Sequence, residues 1–217
     1  MSSAPAGLTV IKPKKNQHVA KLPIVAHGLM PNPKSTIRGA LASLSHLSFI
    51  TGTPLPPSPD GKQWGLLFDG LLERIDYTLF VIDLLTWQAH EPISGIQFAP
   101  KDAKKGDVEI TYPGMYECVG NTFPVGGSHS LAIGTTLKCV LTAKGVTGMG
   151  ANYSQDNIGL IGRRTFAFWL VERPQDDYKL EVIPSEGAKD DSDPIFIWNA
   201  LPDPCKSHAK KPDAGKP

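Results

Sequence analysis

Long apolar runs are missing from this 217-residue chain; nothing approaches the roughly eighteen consecutive apolar residues of a membrane-crossing helix. Its start, Met1-Ser2-Ser3-Ala4-Pro5-Ala6-Gly7, lacks both the basic n-region and the apolar core of a secretory signal. No membrane insertion is expected, and the chain reads as made in the cytosol or as a member of a virion or surface assembly. Excess charge of either sign is also absent. Lys and Arg number 22 against 21 Asp and Glu, a net charge of +1, so no global field draws the molecule to nucleic acid. Lys206, Lys210, Lys211 and Lys216 form a sparse basic tail without aromatic interleaving, which gives no strong nucleic-acid signal.

Cysteine is scarce. Cys118, Cys139 and Cys205 cannot all pair with one another, and the earlier half of the chain has His18 and Gly39 where the first two would repeat. The thiols read as reduced and structural, with a Cys118–Cys139 bridge as the alternative. The six histidines, His18, His27, His46, His90, His129 and His208, show no metal-ligand spacing, and a surface or edge place is expected for each. No metal, cofactor or catalytic residue is expected. Gly126-Gly127-Ser128-His129-Ser130 sets a serine beside a base, but neighbours on a strand point to opposite faces and no acid orients the imidazole, so it reads as a Gly-rich turn.

What the chain does contain is a repeat. Trp64-Gly65-Leu66-Leu67-Phe68 followed by Asp76-Tyr77-Thr78-Leu79-Phe80-Val81-Ile82 returns as Phe166-Ala167-Phe168-Trp169-Leu170 followed by Asp177-Tyr178-Lys179-Leu180-Glu181-Val182-Ile183. Each copy is an aromatic-rich strand, a polar turn and an alternating Tyr-x-Leu-x-Val strand. Val10 and Pro13 match Ile110 and Pro113, and Thr36, Ile37, Arg38 and Leu41 match Thr136, Leu137, Lys138 and Leu141, at a shift of 100. Leu22-Pro23 matches Phe123-Pro124 and Tyr77 matches Tyr178 at 101; Trp64 matches Phe166 at 102; Ile96 and Phe98 match Phe196 and Trp198 at 100. A near-constant offset marks a duplicated fold whose loops gain or lose single residues.

The organisation follows: an N-terminal arm at 1–7, a unit at 8–100, a linker at 101–107 short enough to hold the units end to end, a second unit at 108–200 and a Lys/Pro-rich tail at 201–217. Gly 21 and Pro 20 fit turn-rich β structure. In the first unit, strands are expected at 8–11, 22–26, 36–42, 46–50, the Trp64 and Tyr77 segments and 95–99. Residues 27–35 and the proline-rich 51–62 read as loops. In the second unit the counterpart of the proline loop is expected at 148–157. The fold class is all-β: two tandem seven-stranded sandwiches related by an internal repeat of about 100 residues.

A Pro-terminated first strand, a Trp or Phe strand in the middle and a Tyr-x-Leu-x-Val strand near the end together resemble bacterial immunoglobulin-like and fibronectin type III-like domains, over about 8–200. The paired cysteines flanking a tryptophan that mark antibody-type domains are absent. The resemblance implies a sandwich fold and leaves function open.

In such a sandwich three connections gather at one pole, where binding loops are carried. In the second unit these are about 128–134, 150–162 and 184–194, with Ser128, His129, Tyr153, Asn157, Arg163, Asp190 and Asp191 as candidate binding residues. The acidic loop of Glu186, Asp190, Asp191 and Asp193 reads as a solvated connection rather than a calcium site. Trp87 lies in a loop with no counterpart; exposed, it is a contact residue, and buried, it fills the joint between units. The expected function is a non-enzymatic structural or interaction protein that binds a protein partner or its own copies through loop poles and tails. The alternative is a carbohydrate- or ligand-binding module; an enzyme ranks third.

Overall fold

The computed structural model describes residues 7–100, 108–114, 117–120, 122–131, 137–143, 146–153, 157–158, 164–171, 177–184 and 195–199. All regular structure among them is strand. The first half contains β1 (His18–Val19), β2 (Ile24–Leu29), β3 (Ile37–Ser43), β4 (Ser48–Thr51), β5 (Thr53–Pro54), β6 (Gln63–Phe68), β7 (Asp76–Asp83), β8 (Gln88–Ala89) and β9 (Ile93–Phe98). The second contains β10 (Val108–Tyr112), β11 (Glu117–Val119), β12 (Thr122–His129), β13 (Leu137–Ala143), β14 (Val146–Tyr153), β15 (Asn157–Ile158), β16 (Arg164–Val171), β17 (Asp177–Pro184) and β18 (Ile195–Asn199).

Each half is two sheets over one core. In the first, β2-β6-β5 faces a sheet ordered β1-β9-β7-β3-β4, with β8 hanging on β7. In the second, β10-β12-β16-β15 faces β11-β18-β17-β13-β14. Strand alternation supplies the cores: Trp64, Leu66 and Phe68 of β6 meet Tyr77, Leu79 and Val81 of β7, while Phe166, Phe168 and Leu170 of β16 meet Leu180 and Val182 of β17. Residues 8–12 run along β2, with Ile11 N–H donating to His27 O at 2.8 Å. After Pro13 the chain changes sheets, and β1 pairs β9 in parallel.

The ladders repeat between the halves. Gly28 stands opposite Trp64 and Gly127 opposite Phe166; Leu41 opposite Leu79 and Leu141 opposite Leu180; Tyr77 opposite Ile96 and Tyr178 opposite Ile197. The offsets for β3, β7 and Trp64 agree with the sequence. Two others do not. Gly28 to Gly127 is 99, so β2 maps to β12 at 99 rather than the 101 of the Pro23/Pro124 match, and Ile96 maps to Ile197 at 101 rather than 100. Hydrogen-bonded partners set register, and shared proline or aromatic identity does not.

The halves are not simply strung end to end. The outward face of β2-β6 packs on the outward face of β10-β12-β16, burying Val25 and Leu67 against Tyr112 and Ala167, with Leu55 alongside. A Cβ on Gly126 would overlap Val25 Cγ2, so this glycine is needed for close approach. A bulge after Ile110 turns Tyr112 out of its own core, where its hydroxyl meets His27 Nε2 at 2.7 Å. Gln63 Nε2 donates to Thr122 O at 2.8 Å, Thr111 Oγ1 to Pro23 O at 2.7 Å and Trp169 Nε1 to Pro56 O at 2.7 Å. Lys12 pairs with Glu117 and Lys21 with Glu109. The linker at 101–107, the arm at 1–6 and the tail at 201–217 lie outside the described residues.

Further expectations are corrected. His27, Gly28 and Leu29 continue β2 instead of opening a loop. Residues 53–54 pair with β6, and Leu55 N–H donates to Gly65 O, so the proline segment begins as a sheet edge, where a missing donor is tolerated. Residues 146–153 form β14 along β13. Its Val-Thr-Gly-Met-Gly-Ala-Asn-Tyr composition looked like a loop because an edge strand bonds on one side only and needs little apolar content.

Candidate functional site

The described loop pole belongs to the first half: residues 30–36, 55–62 and 84–87. Asp83, buried at the end of β7, ties it together. Its carboxylate accepts from Ser35 Oγ (2.8 Å), Thr36 N–H (3.2 Å), Leu85 N–H (3.0 Å) and Thr86 Oγ1 (2.7 Å). Desolvation alone pushes this carboxyl up, but the donors outweigh it and hold the pKa below the usual carboxylate value. Asp60 does the same for the neighbouring loop, accepting from Ser58 Oγ at 2.6 Å and Lys62 N–H at 3.1 Å, and its pKa is likewise lowered against desolvation. These hydrogen bonds tie the turns to the ends of the strands that carry them.

On these turns the apolar side chains face water. Trp87 is 75% exposed at the tip of the β7–β8 hairpin, flanked by exposed Leu84 and Leu85. Its backbone is left-handed, φ 57°, a conformation that glycine or asparagine adopts cheaply and a bulky residue does not. The β3–β4 hairpin has the same form. Buried Ser43 starts it, and Leu47 ends it at φ 48° and 93% exposure, beside Leu44 at 90%. Strained, solvent-facing leucine and tryptophan gain nothing from the fold that holds them.

The other anticipated residues are placed elsewhere. Ser128 and His129 are buried inside β12, opposite Thr165 and Arg164, not in a turn. Gly126 and Gly127 had suggested that turn, but a Cβ on Gly127 would strike Glu109 O and the Phe166 ring, so close packing is their role. Ser128 is therefore no exposed nucleophile. His27 and His129 are both buried, against the expectation of surface histidines. Tyr153 and Asn157 lie in β14 and β15; Arg163, Asp190 and Asp191 lie outside the described residues. Cys139 is a buried free thiol whose pKa burial pushes up, which makes it unreactive. Among the described residues no three of His, Cys, Asp and Glu converge on a point a metal could occupy. No described helix is long and apolar enough to cross a membrane.

The sequence reading missed His27 at the joint. Burial first, then the nearby Lys12 charge, lowers its pKa from 6.5 to about 3, while burial and Glu117 raise that of Tyr112. His27 is thus a neutral partner of a neutral phenol. The only available hint was its place two residues after Val25 on a strand, the outward parity of the joint.

No family model matches the chain, and no curated protein matches it. Solved structures similar to it include the following two. The chicken CNTN1 FN1-FN3 domains share 10% identity at a TM-score of 0.27, covering 89% of this chain, which spans 65% of that one. The fibronectin(III)-like modules of Clostridium thermocellum CbhA share 12% identity at 0.26, covering 88% of this chain and 92% of that one. Both belong to the class that the sequence resembles. The sandwich assignment itself rests on the ladders and sheet orders above.

Proposed function

We infer that the chain is a non-enzymatic interaction protein of two homologous sandwich units, 8–100 and 108–200, that meets a protein partner through the loop pole of the first unit. One observation carries this reading: Trp87, strained and exposed on a turn that Asp83 ties to the end of its strand. A rigid aromatic anchor adds contact area at low entropic cost. The two-sided burial of β2 and β6 makes the paired units a stiff body, suited to a structural assembly. Quantitative native pull-down with the whole chain tests the reading. Partners held by the wild type are expected to be lost with Trp87→Ala at unchanged thermal stability; retention of every partner removes the pole from consideration. The exposed indole also favours a carbohydrate reading, since sugars stack on such rings, and saturable, Trp87-dependent glycan-array binding would put that reading first.

A further inference from the structure

The proline segment that begins at β5 repeats its exposure every third residue. Thr53, Pro54, Pro56, Pro57, Pro59 and Asp60 are exposed, whereas Leu55 is half-buried and Ser58 is buried. Three residues per turn is the period of a polyproline II helix. The sequence itself enforces that backbone. A proline ring fixes its own φ at about −65°, and a residue before proline is pushed out of the helical region; one rule or the other applies at every position from Thr53 to Pro59.

Both halves of the molecule fasten the inward ridge. Leu55 N–H donates to Gly65 O at 2.9 Å, Ser58 N–H donates to Gln63 O at 3.3 Å, and the Leu55 side chain packs into the joint. Ser58 Oγ accepts from Gln63 N–H at 2.8 Å and donates to Asp60 Oδ1 at 2.6 Å. From the second half, Trp169 Nε1 donates to Pro56 O at 2.7 Å. Two ridges are left facing water, Pro54 with Pro57 and Pro56 with Pro59. A single proline suffices to guard a sheet edge, and four that complete two ridges exceed that need.

We propose that this segment is the ligand of a proline-binding domain, of the SH3 or WW type, whose groove is lined by aromatic rings. A groove can touch two ridges of a three-sided helix and must leave the third, and here the third is the one the protein holds. The exposed pair Pro56-Pro57 has Thr53-Pro54 before it and Pro59-Asp60 after it, recurring about every 9 Å along the helix. Proline rings carry neither charge nor N–H, so strand addition and ion pairing are both unavailable at these positions and flat apolar rings are the matching surface. The segment is already ordered, which lowers the entropic cost of docking. It belongs to the first unit's pole, so the inference rests on the reading of that pole as a contact surface.

An array of purified SH3 and WW domains probed with the full chain tests it, each captured domain then being titrated by calorimetry up to about 1 mM. A subset is expected to bind one to one and to stop binding when the tryptophan of its own groove is changed to alanine. Pro54→Ala with Pro57→Ala removes one outward ridge and Pro56→Ala with Pro59→Ala the other; each pair should weaken binding at least about tenfold with the fold retained in a thermal melt. The groove variants are made on the partner domain, which keeps the test independent of how this chain folds without its prolines. No binding by any domain at about 1 mM, or binding that survives both proline pairs or the groove change, overturns the proposal. A blank array with partners still lost on Trp87→Ala leaves the pole its role and removes the proline ridge. Capture of a domain by wild type and Trp87→Ala alike, with no partner lost in the pull-down, supports the ridge and removes the indole.

Discussion

The two outer faces of the first half are alike in composition and opposite in fate. On β2 and β6 the outward residues Val25 and Leu67 are buried, because the second half lies against them. On β7 and β4 the outward residues Phe80 and Phe49 face water. Strand alternation puts an apolar side chain on both sides in each case, which a single-core sandwich does not require. Two-sided apolar strands therefore mark a layer beyond the core. For one face that layer is the second half; for the other, no described residue supplies it.

The largest expected effect calibrates both faces against the cores beneath them. Trp64→Ala and Phe166→Ala should each cost about 3–5 kcal/mol, as truncating a buried aromatic does, read by chemical denaturation of the whole chain. Both side chains are buried, and each closes on a glycine of the neighbouring strand. A loss under about 1 kcal/mol in both would remove them from the cores.

Next comes the covered face and its response to acid. His27 is neutral when folded, with a pKa near 3 against 6.5 when unfolded. The unfolded chain binds the extra proton between these values, so the stabilisation is complete above about pH 6.5 and is lost as pH falls toward 3. From pH 7 to pH 4.5 the shift predicts a loss of about 2–3 kcal/mol. Lys12, Tyr112 and Glu117 are the groups that face His27 or its partner, and the Lys12 cation opposes protonation throughout. Denaturation at both pH values should show this loss in the wild type and not in His27→Gln, common carboxylate effects cancelling. Equal losses would mean that His27 is not held neutral at the joint.

Much of the fold was legible because the repeat constrains it. The Tyr77 and Tyr178 strands and their partners β3 and β13 were placed at the offsets the ladders show, since alternation of large apolar residues reports a core face directly. The β2 and β9 offsets slipped because Pro23 and Phe98 were matched by identity, whereas register belongs to the partner strand. The joint was invisible for a different reason. Val25, Leu67 and Ala167 are ordinary outward strand residues until another sheet covers them, and which sheet does so depends on contacts between positions about a hundred apart. Of the candidate site, Trp87 was legible as a loop aromatic without a counterpart. Ser128 and His129 were misread because glycine needed for close packing looks like glycine needed for a turn.

The smallest expected effect separates the two faces by a matched truncation. Val25→Ala removes two buried carbon groups from the joint, worth about 0.8 kcal/mol each, so about 1.5 kcal/mol should be lost. Phe80→Ala removes the six ring carbons, yet it should move stability by no more than about 1 kcal/mol, because Phe80 is 46% exposed and water already covers much of the ring. The larger deletion thus has the smaller cost, which inverts the order that residue size alone predicts. A cost above about 1.5 kcal/mol for Phe80→Ala would place that ring inside the fold and erase the distinction between the faces.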